Sequence, residues 1–151
     1  MKNINNDIVI KEITEFSELF YIDAKELLSQ LTSAEINFST SDFERIVSSE
    51  NSIFFAAFNK EVKDKIVGIL ILVIVDIPTG MLARIEDVVV DSNVRGKGIG
   101  EKIILVAIQK AKELGIKKVD LTSNPKREAA NRLYQRIGFQ QRETNVYRYE
   151  L

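Results

Sequence analysis

The run Val90-Asp91-Ser92-Asn93-Val94-Arg95-Gly96-Lys97-Gly98-Ile99-Gly100 decides the reading of this chain. A stretch ending in β-branched residues, Ile85 to Val90, leads into it as a strand, and a helix follows from about Gly98. Three glycines on alternate positions let the backbone turn tightly and turn its N–H groups inward with no Cβ in the way. The N-terminus of the following helix adds unpaired donors and a partial positive charge. Arg95 and Lys97 add full charges at the rim. Such a loop is a cradle for a phosphate or pyrophosphate, so a phosphorylated cofactor is expected here.

The bulk numbers narrow the chemistry. A chain of 151 residues, 45% hydrophobic and 28% charged, is expected to fold as one domain spanning 1–151. A net charge of −1 argues against general nucleic-acid binding. With no cysteine there are no disulfides, thiolate nucleophiles or zinc–thiolate sites, and with no histidine the commonest base and metal ligand are gone. No metal is expected, and acid–base work falls to Asp, Glu, Lys, Tyr or water. The first residues lack an apolar core of signal-peptide length. The longest apolar run, Ile66 to Val75, is too short to span a membrane, so a cytoplasmic protein without membrane association is expected. Residues 1–60 carry ten acids and five bases, and residues 61–151 twelve and sixteen. Chance explains such a split; so does an anionic cofactor held by the C-terminal part and a cationic acceptor faced by the N-terminal part.

Periodicity places the remaining elements. Asp7 to Ile13 reads as a strand, and Glu15 to Leu31 as a helix with Phe16, Leu19, Phe20, Ala24, Leu27, Leu28 and Leu31 on its stripe. A short helix starts near Thr40-Ser41-Asp42. Ile53–Phe58, Lys65–Val75 and Met81–Val90 form an antiparallel meander, joined by charged residues 59–64 and by Asp76-Ile77-Pro78-Thr79-Gly80. Gly98 to Leu114 is a helix stopped by Gly115, and Lys117 to Thr122 is the next strand, parallel to its predecessor because a helix intervenes. Asn124-Pro125 reads as cap and first turn of a last helix carrying Ala130, Leu133, Tyr134 and Ile137. Phe139–Arg142 and Val146–Leu151 are expected as final strands. The fold class is α/β of the α+β type: a mixed, mostly antiparallel sheet of about seven strands, with helices on both faces.

Three phosphate loops compete. Walker A fails, because Gly100 is followed by Glu101-Lys102 rather than Lys-Ser/Thr. The dinucleotide fingerprint finds Gly96 and Gly98 but meets Glu101 at its third glycine, and some ninety residues precede it. Arg95-Gly96-Lys97-Gly98-Ile99-Gly100 instead resembles the Arg/Gln-x-x-Gly-x-Gly/Ala loop of the GNAT N-acetyltransferase superfamily. Ile85-Glu86-Asp87-Val88-Val89-Val90 resembles that superfamily's cofactor strand. Ala130-Asn131-Arg132-Leu133-Tyr134-Gln135-Arg136-Ile137-Gly138-Phe139 resembles its closing segment. The resemblance covers residues 53–142 closely and the N-terminal helices loosely.

That resemblance implies the acyl-CoA N-acyltransferase fold, with a parallel central pair of strands splayed apart, and transfer of an acetyl group from acetyl-CoA to an amine. The backbones of Val88, Val89 and Val90 would pair with the pantetheine amides, an N–H near Val88 would polarise the thioester carbonyl, and the amides of Gly96, Lys97, Gly98, Ile99, Gly100 and Glu101 would take the pyrophosphate. Tyr134 would protonate the leaving sulfur. Many members carry asparagine seven residues before that tyrosine; here the place holds Arg127, a candidate for CoA phosphate, while Asn131 lies three before it. Glu86 is the candidate base, directly or through water, if an apolar setting strengthens it; the plainer reading pairs it with Arg84 on a solvated face. Asp87, next in the strand, is expected on the opposite face in a structural role.

Three functions remain open at this stage: an acetyltransferase acting on a small or peptidyl amine of cationic character, a non-catalytic acyl-CoA-binding or sensor domain, and a protein lysine or N-terminal acetyltransferase. A homodimer is allowed. The segments expected to shape the acceptor pocket, Leu28 to Phe38 and Asp76 to Met81, match no pattern that names the amine.

Overall fold

The computed structural model describes residues 7–62 and 65–151. Among them the chain runs β1 (Ile8–Ile13), α1 (Glu18–Ser29), α2 (Thr40–Val47), β2 (Ser52–Asn59), β3 (Lys65–Ile77), β4 (Gly80–Val90), α3 (Ile99–Glu113), β5 (Val119–Asp120) and α4 (Glu128–Ile137). The sheet order is β1-β2-β3-β4-β5. The first three junctions are antiparallel and β4–β5 is parallel, as the intervening helix requires. No helix among the described residues is long and apolar enough to cross a membrane.

The pleat divides the core in two. On β2, Phe54, Ala56 and Phe58 face Ala24, Leu27, Phe43 and Val47 of α1 and α2. Phe55 and Ala57 face Ile103, Ile104, Ala107 and Ala111 of α3. Helices therefore cover both faces, which is why β2 and β3 read as nearly continuous apolar runs. Phe43, fully buried, meets Phe54 edge-on at 5.2 Å and Phe38 at 6.0 Å. Those ring contacts, with the Tyr21 hydroxyl donating to Phe38 O at 2.7 Å, fasten the segment between α1 and α2 to the core.

Helix α2 starts one residue earlier in cap terms than expected. Ser39, not Thr40, is its N-cap, and it forms a reciprocal box: Asp42 N donates to Ser39 Oγ at 3.1 Å and Ser39 N donates to Asp42 Oδ2 at 3.0 Å. Hydrogen bonds from Ser39, then the Arg45 guanidinium, hold the Asp42 carboxyl down at about 2. A depressed carboxyl contributes stability above its unfolded value, near 4, and loses it as pH falls through the folded one. The amides of α2 are therefore expected to lose protection relative to those of α3 as pH falls from about 4 to 2; unchanged protection of α2 relative to α3 across that window would count against the box.

Several expected elements differ. The sheet has five strands among the described residues, not about seven: residues 139–151 form none, and Tyr147 and Tyr149 lie almost fully exposed. A strand needs an edge to pair with, and β5 is only two residues long because β4 turns away from it after Arg84. Helix α1 begins at Glu18, behind a Ser17 cap, rather than at Glu15. Asn124 opens a turn instead of capping α4: its Oδ1 accepts from Lys126 N at 2.9 Å, and its carbonyl accepts from Arg127 N. Arg127 itself is the N-cap, without a side-chain bond. Residues 63 and 64 of the expected charged turn lie outside the described residues.

Candidate active site

Among the described residues the parallel pair is registered at Ala83–Val119 and Arg84–Asp120, with Ala83 N donating to Lys118 O at 3.0 Å. Beyond Arg84 the remainder of β4, Ile85 to Val90, has β3 on one side and no β5 partner on the other. The strands part there, and an unfilled ladder edge opens a slot for an extended ligand whose amides can complete it. Val88, Val89 and Val90 line this stretch; the Val90 carbonyl already accepts from Arg95 Nε at 2.9 Å.

A bulge sits in the same stretch. Ile69 pairs with Val89 and Ile71 with Glu86, so Leu70 faces both Asp87 and Val88. The expected simple alternation, with Asp87 opposite Glu86, is thereby broken. Ala83 and Ile85 belong to the α3 side before the bulge, and Val88 and Val90 after it. Asp87 is the extra residue, at φ +49°.

At the end of β4 the glycine loop is built as its sequence implies. Asp91 N donates to Val67 O, anchoring the loop to β3, and Asp91 Oδ1 accepts from Asn93 N at 3.0 Å. Gly96 and Gly98 sit at φ +76° and +77°, a region that favours glycine. The first helical bond of α3 runs from Lys102 N to Gly98 O. The amides of Ile99, Gly100 and Glu101 are thus the free donors of the helix start. Gly100 packs against α4: a Cβ there would lie 3.4 Å from the Leu133 side chain, an ordinary contact. Glu101 Oε2 receives Arg136 Nη2 at 2.8 Å, a second tie between α3 and α4.

Helix α4 presents Tyr134 to the α3 side of the core. Gly138, at φ +116°, ends the helix so that Phe139 N donates back to Tyr134 O at 3.0 Å and the two rings meet edge-on at 6.0 Å. Partial burial pushes the Tyr134 phenol upward, opposed by the Arg127 charge. No described residue hydrogen-bonds its hydroxyl. Asn131 Nδ2 is engaged by Asn124 O at 3.0 Å, and Arg127 Nη2 donates to Leu31 O at 2.9 Å.

On the α1–α2 side, Glu86 lies 3.3 Å from Arg84 Nε, both side chains 43% exposed. This is the pairing with Arg84 that the plainer reading expects, with the Arg84 Nε atom itself buried. A surface hollow of about 330 Å³ is lined by Lys25, Ser29, Thr32, Glu35 and Ile36 at the end of α1. That end is tied to the cofactor side twice over. Gln30 Oε1 accepts from Ser92 N at 2.9 Å, and the adjacent Leu31 carbonyl accepts from Arg127. Neither tie was legible in the sequence, which holds no pattern for a contact across sixty or ninety residues.

Comparison with known proteins shows the family and the fold. A model of the acetyltransferase (GNAT) family matches residues 14–139. An aminoglycoside acetyltransferase from an uncultured soil metagenomic sample, solved with trehalose and with sisomicin, superposes with TM-score 0.83; it is 25% identical in the trehalose complex, over 98% of both chains. A Trypanosoma brucei acetyltransferase is 26% identical, TM-score 0.77, over 96% of this chain and 100% of that one. Glucosamine-6-phosphate N-acetyltransferase from Arabidopsis thaliana is 25% identical, TM-score 0.74, over 94% and 97%. In sequence, an uncharacterized N-acetyltransferase of Methanocaldococcus jannaschii is 37% identical over 62 residues, which is 41% of this chain and only 27% of that protein.

Proposed function

The chain belongs to the acetyltransferase (GNAT) family, whose cosubstrate is acetyl-CoA, and on that premise we propose that it transfers acetyl to a primary amine by direct attack in a ternary complex. The observation that carries this reading is the opening between β4 and β5, with the glycine loop at one end and Tyr134 on the facing helix. Backbone groups of Val88, Val89 and Val90 complete the parted ladder with the pantetheine amides, and an N–H near Val88 stabilises the oxyanion. Amides from Gly96 to Glu101 hold the pyrophosphate, with Arg95 and Lys97 supplying charge. Asn131 helps fix the loop before α4, and Arg127 stands where a CoA phosphate can compete for its guanidinium.

Tyr134 is the acid. A phenol carries its proton at neutral pH, and partial burial shifts it further in that direction, so the proton is in place for the departing sulfur. Glu86 acts on the acceptor side: with Asp76, and with Glu35 in the hollow at the end of α1, it draws a cationic amine toward β4. The neighbouring structures include enzymes named for aminoglycosides and for glucosamine 6-phosphate, both amines, and a small cationic amine is the acceptor class proposed here.

Free-thiol release from acetyl-CoA with a panel of sisomicin, glucosamine 6-phosphate, spermidine and an N-terminal peptide tests the reading. Melting temperature adds a check independent of the acceptor. CoA is expected to raise it, because a ligand that binds only the folded state stabilises that state, and NAD or ATP at equal concentration is expected to do much less. A larger shift with NAD would overturn the cofactor. A CoA shift without thiol release for any amine would indicate an acyl-CoA-binding domain instead.

A further inference from the structure

Beyond Phe139 the chain runs on to Leu151 with neither turn nor bend, and every residue from 140 to 151 is exposed. Val146, Tyr147, Tyr149 and Leu151 are each at least 75% exposed, although valine and tyrosine favour the pleated, half-buried surface of a sheet. No residue of this arm makes a backbone hydrogen bond with a described residue. Without a turn the arm does not fold back onto its own β5, and as a strand it would be about 40 Å long.

The matching deficiency lies at the end of the sheet. No strand follows β5 on its outer side, and residues 121–124 continue it without a ladder of their own. Helix α4 packs over this end, its Leu133, Tyr134 and Ile137 against the same core layer as Val119 and Leu121. Its apolar residues fall on one stripe, yet none of them is fully buried. An amphipathic helix half-buried along its apolar face has too little sheet beneath it.

We propose that the C-terminal arm of one copy of this chain lies along the outer edge of β5 in a second copy, and reciprocally, so that each site is completed by its partner's arm. Every chain carries one unpaired arm and one unpaired edge, and a two-fold exchange satisfies both and closes. The area is sufficient. Extended chain exposes about 1.45 Å² per dalton, or about 1,900 Å² for an arm of this length. Half of each of two arms, with the edges they cover, exceeds the roughly 1,600 Å² of a standard stable interface. The added strand carries β5 past Asp120, walls the parted slot and lies beneath α4, which fixes the ring of Tyr134. The consequence for turnover rests on the acetyl-transfer reading given above; the exchange of arms does not.

Sedimentation velocity of the full chain and of the double variant Tyr147→Pro with Arg148→Pro tests the proposal. The two lost N–H groups point to opposite edges of a strand, so pairing is blocked on either side. Neither bonds within its own chain, so the folded single copy loses nothing. The parent is expected to sediment at twice the chain mass and the variant at the chain mass. In the variant the CoA-induced rise in melting temperature is expected to persist, and the amides of α4 to exchange faster while those of α3 do not. Thiol release is expected to fall by about 10- to 10²-fold, because a reacting group displaced by about 1 Å costs up to about 10²-fold. A single-copy parent, a dimer that survives both prolines, or a single-copy variant with parental α4 exchange and parental turnover would each overturn the proposal. If the parent releases no thiol with any amine, the acetyl-transfer reading alone fails, and sedimentation with α4 exchange still decides the exchange of arms.

Discussion

Tyr134→Phe is expected to reduce thiol release by about 10²-fold while leaving CoA affinity nearly unchanged. Only the hydroxyl is lost. The ring keeps its edge-on contact with Phe139 and its place beside Leu133 and Ile137 against the α3 layer. Because no described residue hydrogen-bonds the hydroxyl, its removal strands no partner, and the fold is expected to be as stable as the parent. The effect belongs at the lower end of the usual range for removing a general acid, since a thiolate is a tolerable leaving group even without a proton. Steady-state kinetics, with calorimetric titration of CoA on the same preparation, decide the matter. Turnover equal to the parent's would make Tyr134 a packing residue.

Gly98→Val is expected to abolish the CoA-induced rise in melting temperature. Gly98 stands at φ +77° as the residue that opens α3. A β-branched residue cannot hold that conformation, so the backbone must rotate, and the amides of Ile99 to Glu101 turn with it. A ligand at a hundred times its dissociation constant stabilises by roughly 2.7 kcal/mol, a shift of a few degrees that differential scanning fluorimetry resolves easily. The variant without ligand is expected to stay folded, because the buried face of α3 from Ile103 to Ala111 does not involve Gly98. A CoA shift of parental size in Gly98→Val would place the phosphate cradle elsewhere.

The sequence carried the loop because glycines at 96, 98 and 100 have few other physical explanations, and the structure gives two of them positive φ and the third a close helix contact. It carried the meander and the two-sided core because the apolar runs of β2 and β3 are too long for a sheet open to water on one face. The bulge was not legible. Val88, Val89 and Val90 are all apolar, so the pattern along them is the same whichever residue faces α3. The pairing of Glu86 with Arg84 was legible, since residues two apart in a strand share a face, and the structure puts the contact at 3.3 Å. At the C-terminus, Val146 to Leu151 has the composition of a strand. Composition does not supply a partner, and the two-residue β5 offers little edge for pairing.

The bulge also makes β4 one residue longer than its pairing with β3 requires. Odd-numbered residues face α3 up to Ile85, and even-numbered ones do so from Val88 onward. Many substitutions at Asp87 keep that parity. Removing the residue would restore the uninterrupted pleat with Ile85, Val88 and Val90 still toward α3 and with Val89 still opposite Ile69 and Val90 opposite Gly68. Among relatives of this chain, a strand one residue shorter here would therefore keep the same core faces and the same entry into the glycine loop, and lose only the left-handed step at Asp87.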